Sequence, residues 1–371
     1  MTIALGTALA LLVLWWALRF LPAGAEGHLP LPYLIALIPF LWIPALLLAV
    51  VAVVLGCWPL AVAAVVLAMI VALRVPLHRL SLRETSRETK RETYRETHPD
   101  TSDTTAARGY DEQPDAPITV MTLNCRFGRA DADAIMDAVR AHDVDVLALQ
   151  ELTADLVGAL DAAGIRDVLP HRQLGEDRPT DNGGFNGLWT RFAPVAAASS
   201  SAQIPAADVP VIVASPTLNG QPADVPDSAI AFASAHTKSP MRGCRAWSQG
   251  IVGLGWLALR QGCGMHAPTH PSPETAADDP SRASTEAAVV LGDLNCGIDH
   301  PSFRKLLAAG FRDASMSALH KPMVSFPSWL AWPRIELDHV LISGGIDAER
   351  VETLTIHGSD HLATVAALRI R

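Results

Sequence analysis

Basic charge is what this chain has least of for its size: 29 Lys and Arg stand against 38 Asp and Glu, a formal net charge of −9. Eight of the 29 and six of the 38 precede residue 101, so the remainder carries 21 basic against 32 acidic residues. A surface of that sign repels polyanions. It argues against tight non-specific DNA binding, which needs clustered Lys and Arg to neutralise phosphates, but not against a small anionic substrate held through a metal. Cysteine is also sparse. Of five, Cys57 lies in an apolar stretch and the other four, Cys125, Cys244, Cys263 and Cys296, fit no zinc-ligand spacing. Cys125 and Cys296 directly follow Asn124 and Asn295, so with those amides on one site both thiols point away from it and come close together. Buried free thiols are the commoner use and a disulfide the alternative, with Cys244 and Cys263 a weaker second pair.

Charge of either sign is missing from three runs at the front, Ile3 to Phe20, Leu34 to Leu55 and Leu60 to Leu73, apart from Arg19 near the end of the first. The first two approach the ~20 residues that span a bilayer as a helix. Arg19 sits where it can snorkel, and Trp15, Trp16, Tyr33 and Trp58 lie where interfacial aromatics are expected. The predicted anchor is three transmembrane helices in residues 1–76. Ala23-Gly24-Ala25 resembles a signal cleavage site, but the first run has no Lys or Arg ahead of it. Residues 77–117 contain Arg-Glu-Thr-X four times between Arg83 and His98 and read as a solvated stalk.

From Ile118 strand and helix signals alternate. Ile118 to Asn124 and Val144 to Gln150 read as strands, Ala132 to His142 and Thr153 to Ala163 as helices. Gly187 to Thr190 and Ala229 to Ala235 are further strands, with Asn219-Gly220 a turn signal between apolar segments. Trp247 to Leu259 reads as an amphipathic helix and His266 to Ala287 as a flexible insertion. The strand Val289-Val-Leu-Gly-Asp-Leu-Asn295 follows. A strand's two-residue period puts Asp293 and Asn295 on one face, and Gly292 leaves room for a ligand or another backbone. A helix from Ser302 to Ala309 and strands from Leu337 to Ile342 and Leu362 to Leu368 complete a mixed α and β domain over 118–371.

Polar residues gather at these strand ends: Asn124, Glu151, His236, Asp293 with Asn295, Asp338, and Asp360 with His361. Each alone has a plain structural use, as a turn former, a helix-dipole acid or a satisfied histidine. Together they supply what phosphate-ester hydrolysis needs, hard oxygen ligands for a divalent ion, a base for water and donors for the phosphoryl oxygens.

Thr-Leu-Asn124, Leu-Gln-Glu151, His236, Gly-Asp293-Leu-Asn295, Leu-Asp338-His-Val and Gly-Ser-Asp360-His361 resemble, in order, the motifs of the endonuclease/exonuclease/phosphatase superfamily with its DNase-I-like fold. The front resembles the three-helix anchor of some bacterial members. The resemblance implies an α/β (α+β) fold, a four-layered α/β/β/α sandwich, and a Mg2+ or Mn2+ ion held by Glu151 with Asn124 and Asp360. It implies that Asp293 activates water, that Asn295 holds water or phosphate, that Asp338 orients His361, and that His361 and His236 stabilise the phosphoryl charge. The expected substrate is a phosphate ester in nucleic acid or a lipid head group, and no protein partner is inferred. A non-catalytic binding protein using the same cleft is the other function class. The loop Ser325 to Pro333, with Trp329 and Trp332, reads as base-stacking, lipid-facing or plain packing. Arginines after the third apolar run favour a cytoplasmic domain by positive-inside counting; similar anchored hydrolases face outward. The expectation is a multi-pass membrane protein with its catalytic domain outside the cytoplasm.

Overall fold

The computed structural model describes residues 1–73, 117–177, 183–202, 204–216, 229–259 and 287–370. The expected stalk, the Asn219-Gly220 turn, Cys263 and nearly all of the 266–287 insertion lie outside them. The chain divides into two compact units, one of Met1–Trp16 and Leu37–Asp115, the other of Ala17–Ala36 and Ala116–Arg371.

The first unit is built on three apolar helices, α1 (Thr2–Ala17), α2 (Trp42–Val54) and α3 (Trp58–Ala72), the last two joined by a turn at Gly56 (φ +72°). Small residues let them approach: Ala52 and Ala61 pack with Leu5, while Leu11, Leu47, Val50 and Val62 stay exposed. Among the described residues only Thr2–Phe20, at 19 residues, is long and apolar enough to cross a bilayer, and a signal sequence passes the same test. Ile38–Val54 and Trp58–Ala72 are shorter, so one candidate span replaces the three expected; the apolar runs are real, but Pro39 and Pro59 fall at helix starts and trim them.

The second unit holds two six-stranded mixed sheets. One runs β11 (Ile346–Thr355), β12 (Leu362–Ile370), β1 (Ile118–Asn124), β2 (Val146–Leu152), β4 (Phe185–Thr190), β3 (His171–Leu174). The other runs β5 (Pro194–Ala198), β6 (Val211–Ala214), β7 (Ile230–His236), β8 (Ala287–Asp293), β10 (Asp338–Ile342), β9 (Arg312–Asp313). Because side chains alternate along a strand, each sheet has two apolar faces to cover. Val120, Val146, Phe232, Val289 and Leu291 meet between the sheets. On the outer face of the first sheet, Met121, Leu147 and Trp189 pack with Ile135 and Val139 of α4 (Ala132–Ala141) and Leu156 of α5 (Ala154–Ala162). Outside the second, Val213, Ala233 and Val290 pack with Trp247 of α6 (Pro240–Gly253) and Phe303 of α7 (Pro301–Ala308). Two mixed sheets with helices over both outer faces are what a DNase-I-like α/β fold requires.

The helix starts follow their local sequence. Asp131 accepts from Ala134 N and Thr153 from Leu156 N, capping α4 and α5. The amphipathic helix expected from Trp247 begins seven residues earlier, behind Ser239 and Pro240, and is kinked at Gly243. Its polar first turns conceal the apolar period.

Cys125 and Cys296 are both free and fully buried. They lie in the separate outer layers of the two sheets, which agrees with free thiols and excludes the alternative of a disulfide between them. Cys244 is free as well. Gly292 (φ +155°) makes room for a backbone rather than a ligand, since a Cβ there would stand 1.7 Å from Ala235 O of the neighbouring strand. Gly292→Ala is therefore expected to destabilise the unit by about 3 kcal/mol, the upper part of the overpacking range, read as a lower urea midpoint. A midpoint equal to the parent's would contradict this packing.

Candidate active site

β1, β2, β7 and β8 end at one edge of the two sheets, and β10 and β12, antiparallel to β8 and β1, begin there. This topology collects residues that are far apart in sequence. Asp293 closes β8 with His236 of β7 as its register partner on one side and Asp338 of β10 on the other. Asn124 closes β1, and Asp360 and His361 immediately precede β12.

Two site residues leave regular strand geometry. Glu151 has φ +54° where the β2–β4 register shifts between Leu149 and Leu152, so a bulge re-aims its carboxylate out of the ladder. Its Oε2 accepts from Phe127 N at 2.9 Å. The β8 strand stops at Asp293, so Asn295 is not placed by strand period as expected; it stands in a turn at φ +51°. That turn is held by Asn295 N donating to Asp293 Oδ1 (2.9 Å), Asn295 Nδ2 to Thr237 O (3.2 Å) and Trp247 Nε1 to Asn295 O (3.0 Å).

At the centre, Asn124 Nδ2 donates to Asp293 Oδ2 at 2.9 Å and to Glu151 Oε1 at 3.2 Å, so one amide bridges acids from both sheets. His236 Nε2 lies 3.6 Å from Asp293 Oδ2 and 3.9 Å from Glu151 Oε1, while its buried Nδ1 has no hydrogen-bond partner. His361 Nδ1 pairs with Asp338 Oδ2 at 2.8 Å, and its Nε2 lies 3.8 Å from Asp293 Oδ2. Burial disfavours the His361 imidazolium, but Asp338 and Asp293 outweigh it and raise the ring to about 10. The two acids favour the protonated ring, whose Nδ1 is held by Asp338 and whose Nε2 faces Asp293. Phe326 covers the ring at 4.9 Å, and Ser359 ties Asn124 O to His361 N. Asp360 lies at the rim, 3.6 Å from Arg126.

All eight expected residues therefore lie at this edge. Arg126 is an addition; its only sequence signal was a basic residue two places after Asn124. A second buried cluster lies behind Asp338, where His339 Nδ1 pairs with Asp313 at 2.8 Å and Nε2 donates to Cys296 O at 2.9 Å. It ties the exit of β8 to the start of β10, with Glu336 4.0 Å from His339 and Asp313 also accepting from Ser315 and Met316.

The donor set suits a hard divalent cation. Glu151, Asp293 and Asp360 share this edge with the amide of Asn124, and carboxylate and amide oxygens are the ligands such ions take. Asp293, Asp338 and His361 also bring donor atoms within 4.8 Å of one another. The short His361–Asp338 contact at 2.8 Å fits an oriented histidine within that trio.

The profile of the Endonuclease/Exonuclease/phosphatase family matches residues 121–361. The chain belongs to that family and is a hydrolase of phosphate ester bonds. No curated protein matches the sequence. Among solved structures, a family member from Bacteroides thetaiotaomicron is 15% identical with a TM-score of 0.48, covering 69% of this chain and 99% of that one. A mannosyl-6-phosphatase of the same organism is 14% identical (TM-score 0.46, 68% and 99% covered). The D. rerio TDP2 complexed with single strand DNA product is 17% identical (TM-score 0.45, 69% and 100% covered). At such scores these likenesses carry no conclusion, and membership rests on the profile match.

A histidine raised to about 10 when folded, from an ordinary 6.5, contributes stability that is fully present below pH 6.5 and lost as pH rises through about 10. Asp338→Asn removes the partner. Its ring titration, followed by NMR, should fall well below that of the parent, and the gap in melting temperature between the two should close above pH 10. An unmoved ring titration would show that Asp338 is not the cause.

Proposed function

We propose that this protein is a membrane-anchored, divalent-metal-dependent phosphodiesterase in which Asp293 takes the proton of an attacking water. His361 and His236 then carry the charge of the phosphoryl oxygens, and Asn295 holds water or phosphate. The observation that carries this reading is the arrangement about Asp293: a buried acid 3.8 Å from His361, which is fixed by Asp338 at 2.8 Å. A charged imidazolium is a donor rather than a base, which leaves the proton-accepting role to the carboxylate. Asn124 Nδ2 and Asn295 N fix the orientation of that carboxylate. Glu151, Asn124 and Asp360 would hold Mg2+ or Mn2+, which supplies a Lewis acid for charge spreading over the phosphoryl group.

The anchor is the first apolar helix, up to the point at Ala17 where the chain joins the catalytic unit, and the domain is proposed to face out of the cytoplasm. External protease that leaves the Arg83–Arg95 repeat uncut in intact cells would count against that sidedness. A lipid head group gains support as substrate from one surface feature. Trp329, Leu330 and Trp332 are exposed at 64%, 38% and 60%. Their loop is tied to the site through Phe326, which touches both Trp329 and His361, and through Ser328 N donating to Asp360 O at 2.8 Å. Amphipathic rings of this kind suit a membrane interface.

Assays of the full chain with Mg2+ or Mn2+ against DNA, RNA, phospholipids and sugar phosphates test the reading. Asp293→Asn and His361→Ala should each lower turnover by about 10²-fold or more without unfolding the unit, and Asp338→Asn by less, since it disturbs orientation alone. Turnover surviving both of the first two changes would sink the assignment. Replacing Trp329 and Trp332 together by Ala should depress hydrolysis of phospholipid vesicles and spare a soluble phosphodiester; equal loss on both would remove the lipid reading.

A further inference from the structure

The segment Ala17–Ala36, which leaves the first apolar helix, is built into the catalytic unit. Its Glu26 is fully buried, a costly place for a carboxylate without donors. Oε1 accepts from Ser302 N at 2.5 Å in the first turn of α7, and Oε2 accepts from Gly24 N at 2.9 Å. The residue preceding α7, His300, gives that helix no side-chain cap, so Glu26 supplies the acceptor from 276 residues upstream.

His300 is turned to other partners. Its Nδ1 accepts from Gly297 N at 3.0 Å, which leaves Nε2 to donate to Pro32 O, also at 3.0 Å. Arg304 donates to Ile298 O, Asp299 O and Arg19 O, and Arg19 pairs with Asp299 at 3.3 Å. The stretch from Gly297 to Ser302 is thus held by Arg19 at Asp299, Pro32 at His300 and Glu26 at Ser302. On its inner side the His300 ring meets Trp247 edge-on at 5.2 Å, and Trp247 Nε1 donates to Asn295 O at 3.0 Å. Asn295 sits at φ +51°, a conformation that its surroundings must hold.

We infer that Glu26 and His300 are positioning residues for hydrolysis: the segment Ala17–Ala36 sets, through the start of α7, the His300 ring and Trp247, the turn that presents Asn295. This rests on the role proposed above for Asn295. It makes the active geometry conditional on a piece of chain that adjoins the anchor, so that an enzyme cut away from that piece folds around a misplaced amide.

The test uses the full chain in detergent with Mg2+. Glu26→Ala should lower kcat about tenfold or more while moving KM far less, as expected when a catalytic group is displaced at a distance. Glu26→Gln keeps an oxygen for Ser302 N and should recover most of the rate, which guards against a variant that merely unfolds. Asn295→Ala should lower kcat, and adding Glu26→Ala to it should lower kcat no further, because both act through one amide. Additive losses, or a lowered melting temperature with kcat unchanged, would overturn the inference. A second readout needs no turnover: the indole N–H resonance of Trp247, assigned by its loss in Trp247→Phe, should shift in Glu26→Ala and in His300→Gln. Should the parent hydrolyse nothing on the substrate panel, the proposed function falls while a shifted indole still supports the coupling. An indole unmoved in both folded variants would overturn it.

Discussion

Negative charge held out of water is the constraint on which the rest of this structure depends. Asp293 and Asp338 are 1% and 2% exposed and sit as register partners on adjacent strands. Two such acids side by side are tolerable only where donors and positive charge surround them. For Asp293 the fold supplies partners from four directions, Asn124 from the first sheet, His236 from β7, His361 ahead of β12 and the Asn295 N–H from the turn after β8, and His361 pairs with Asp338 as well. Parallel and antiparallel neighbours are both needed for this. The ends of β1, β2, β7 and β8 and the beginnings of β10 and β12 coincide at one edge only because the mixed topology reverses direction at β10 and β12.

Regular structure gives way where that edge does its chemistry. Glu151 and Asn295 both take left-handed backbone angles, one in a bulge and one in a turn, and neither is a glycine. A strand alone would alternate Glu151 with Gln150 and Leu152 across the two faces of the sheet. The bulge frees it from that choice: Gln150 remains between the sheets, donating to Ser234 Oγ at 3.0 Å, while Glu151 reaches the rim. Sites of strain tend to mark function, and here the strained residues are also the acid proposed for the metal and the amide proposed for the substrate.

Much of this was legible in the sequence because buried strands ending in single polar residues are a dense signal. The strands at Ile118, Ala229 and Leu362 fall within a residue or two of the expected bounds, and the polar residues that close or precede them meet in space. Other elements gave too little pattern. β6 has only four residues, Val211–Ala214, too few to show a period, and β5 is an edge strand with Pro194 at its start and Val195 exposed. The thiols of Cys125 and Cys296 were correctly aimed away from the site, yet direction along one strand does not say which layer a residue enters when two sheets stack face to face. Apolar composition without helix boundaries likewise overstated the number of bilayer-length helices. Local sequence also hides the docking of Ala17–Ala36; the one trace is that Glu26 is the lone acid ahead of Glu84.

That long-range contact orders events during synthesis. Glu26 emerges from the ribosome well before Ser302, and at ~5–20 residues per second the interval is tens of seconds at most. Meanwhile a carboxylate destined for burial remains in water. The segment that holds it adjoins the first apolar helix, so a nascent chain that engages the membrane early has its docking surface tethered near the bilayer before α7 exists to receive it. Closing so distant a pair carries a loop entropy that grows only with the logarithm of length, so the delay costs the finished fold little. It makes the unit a late folder, completed after the first apolar helix.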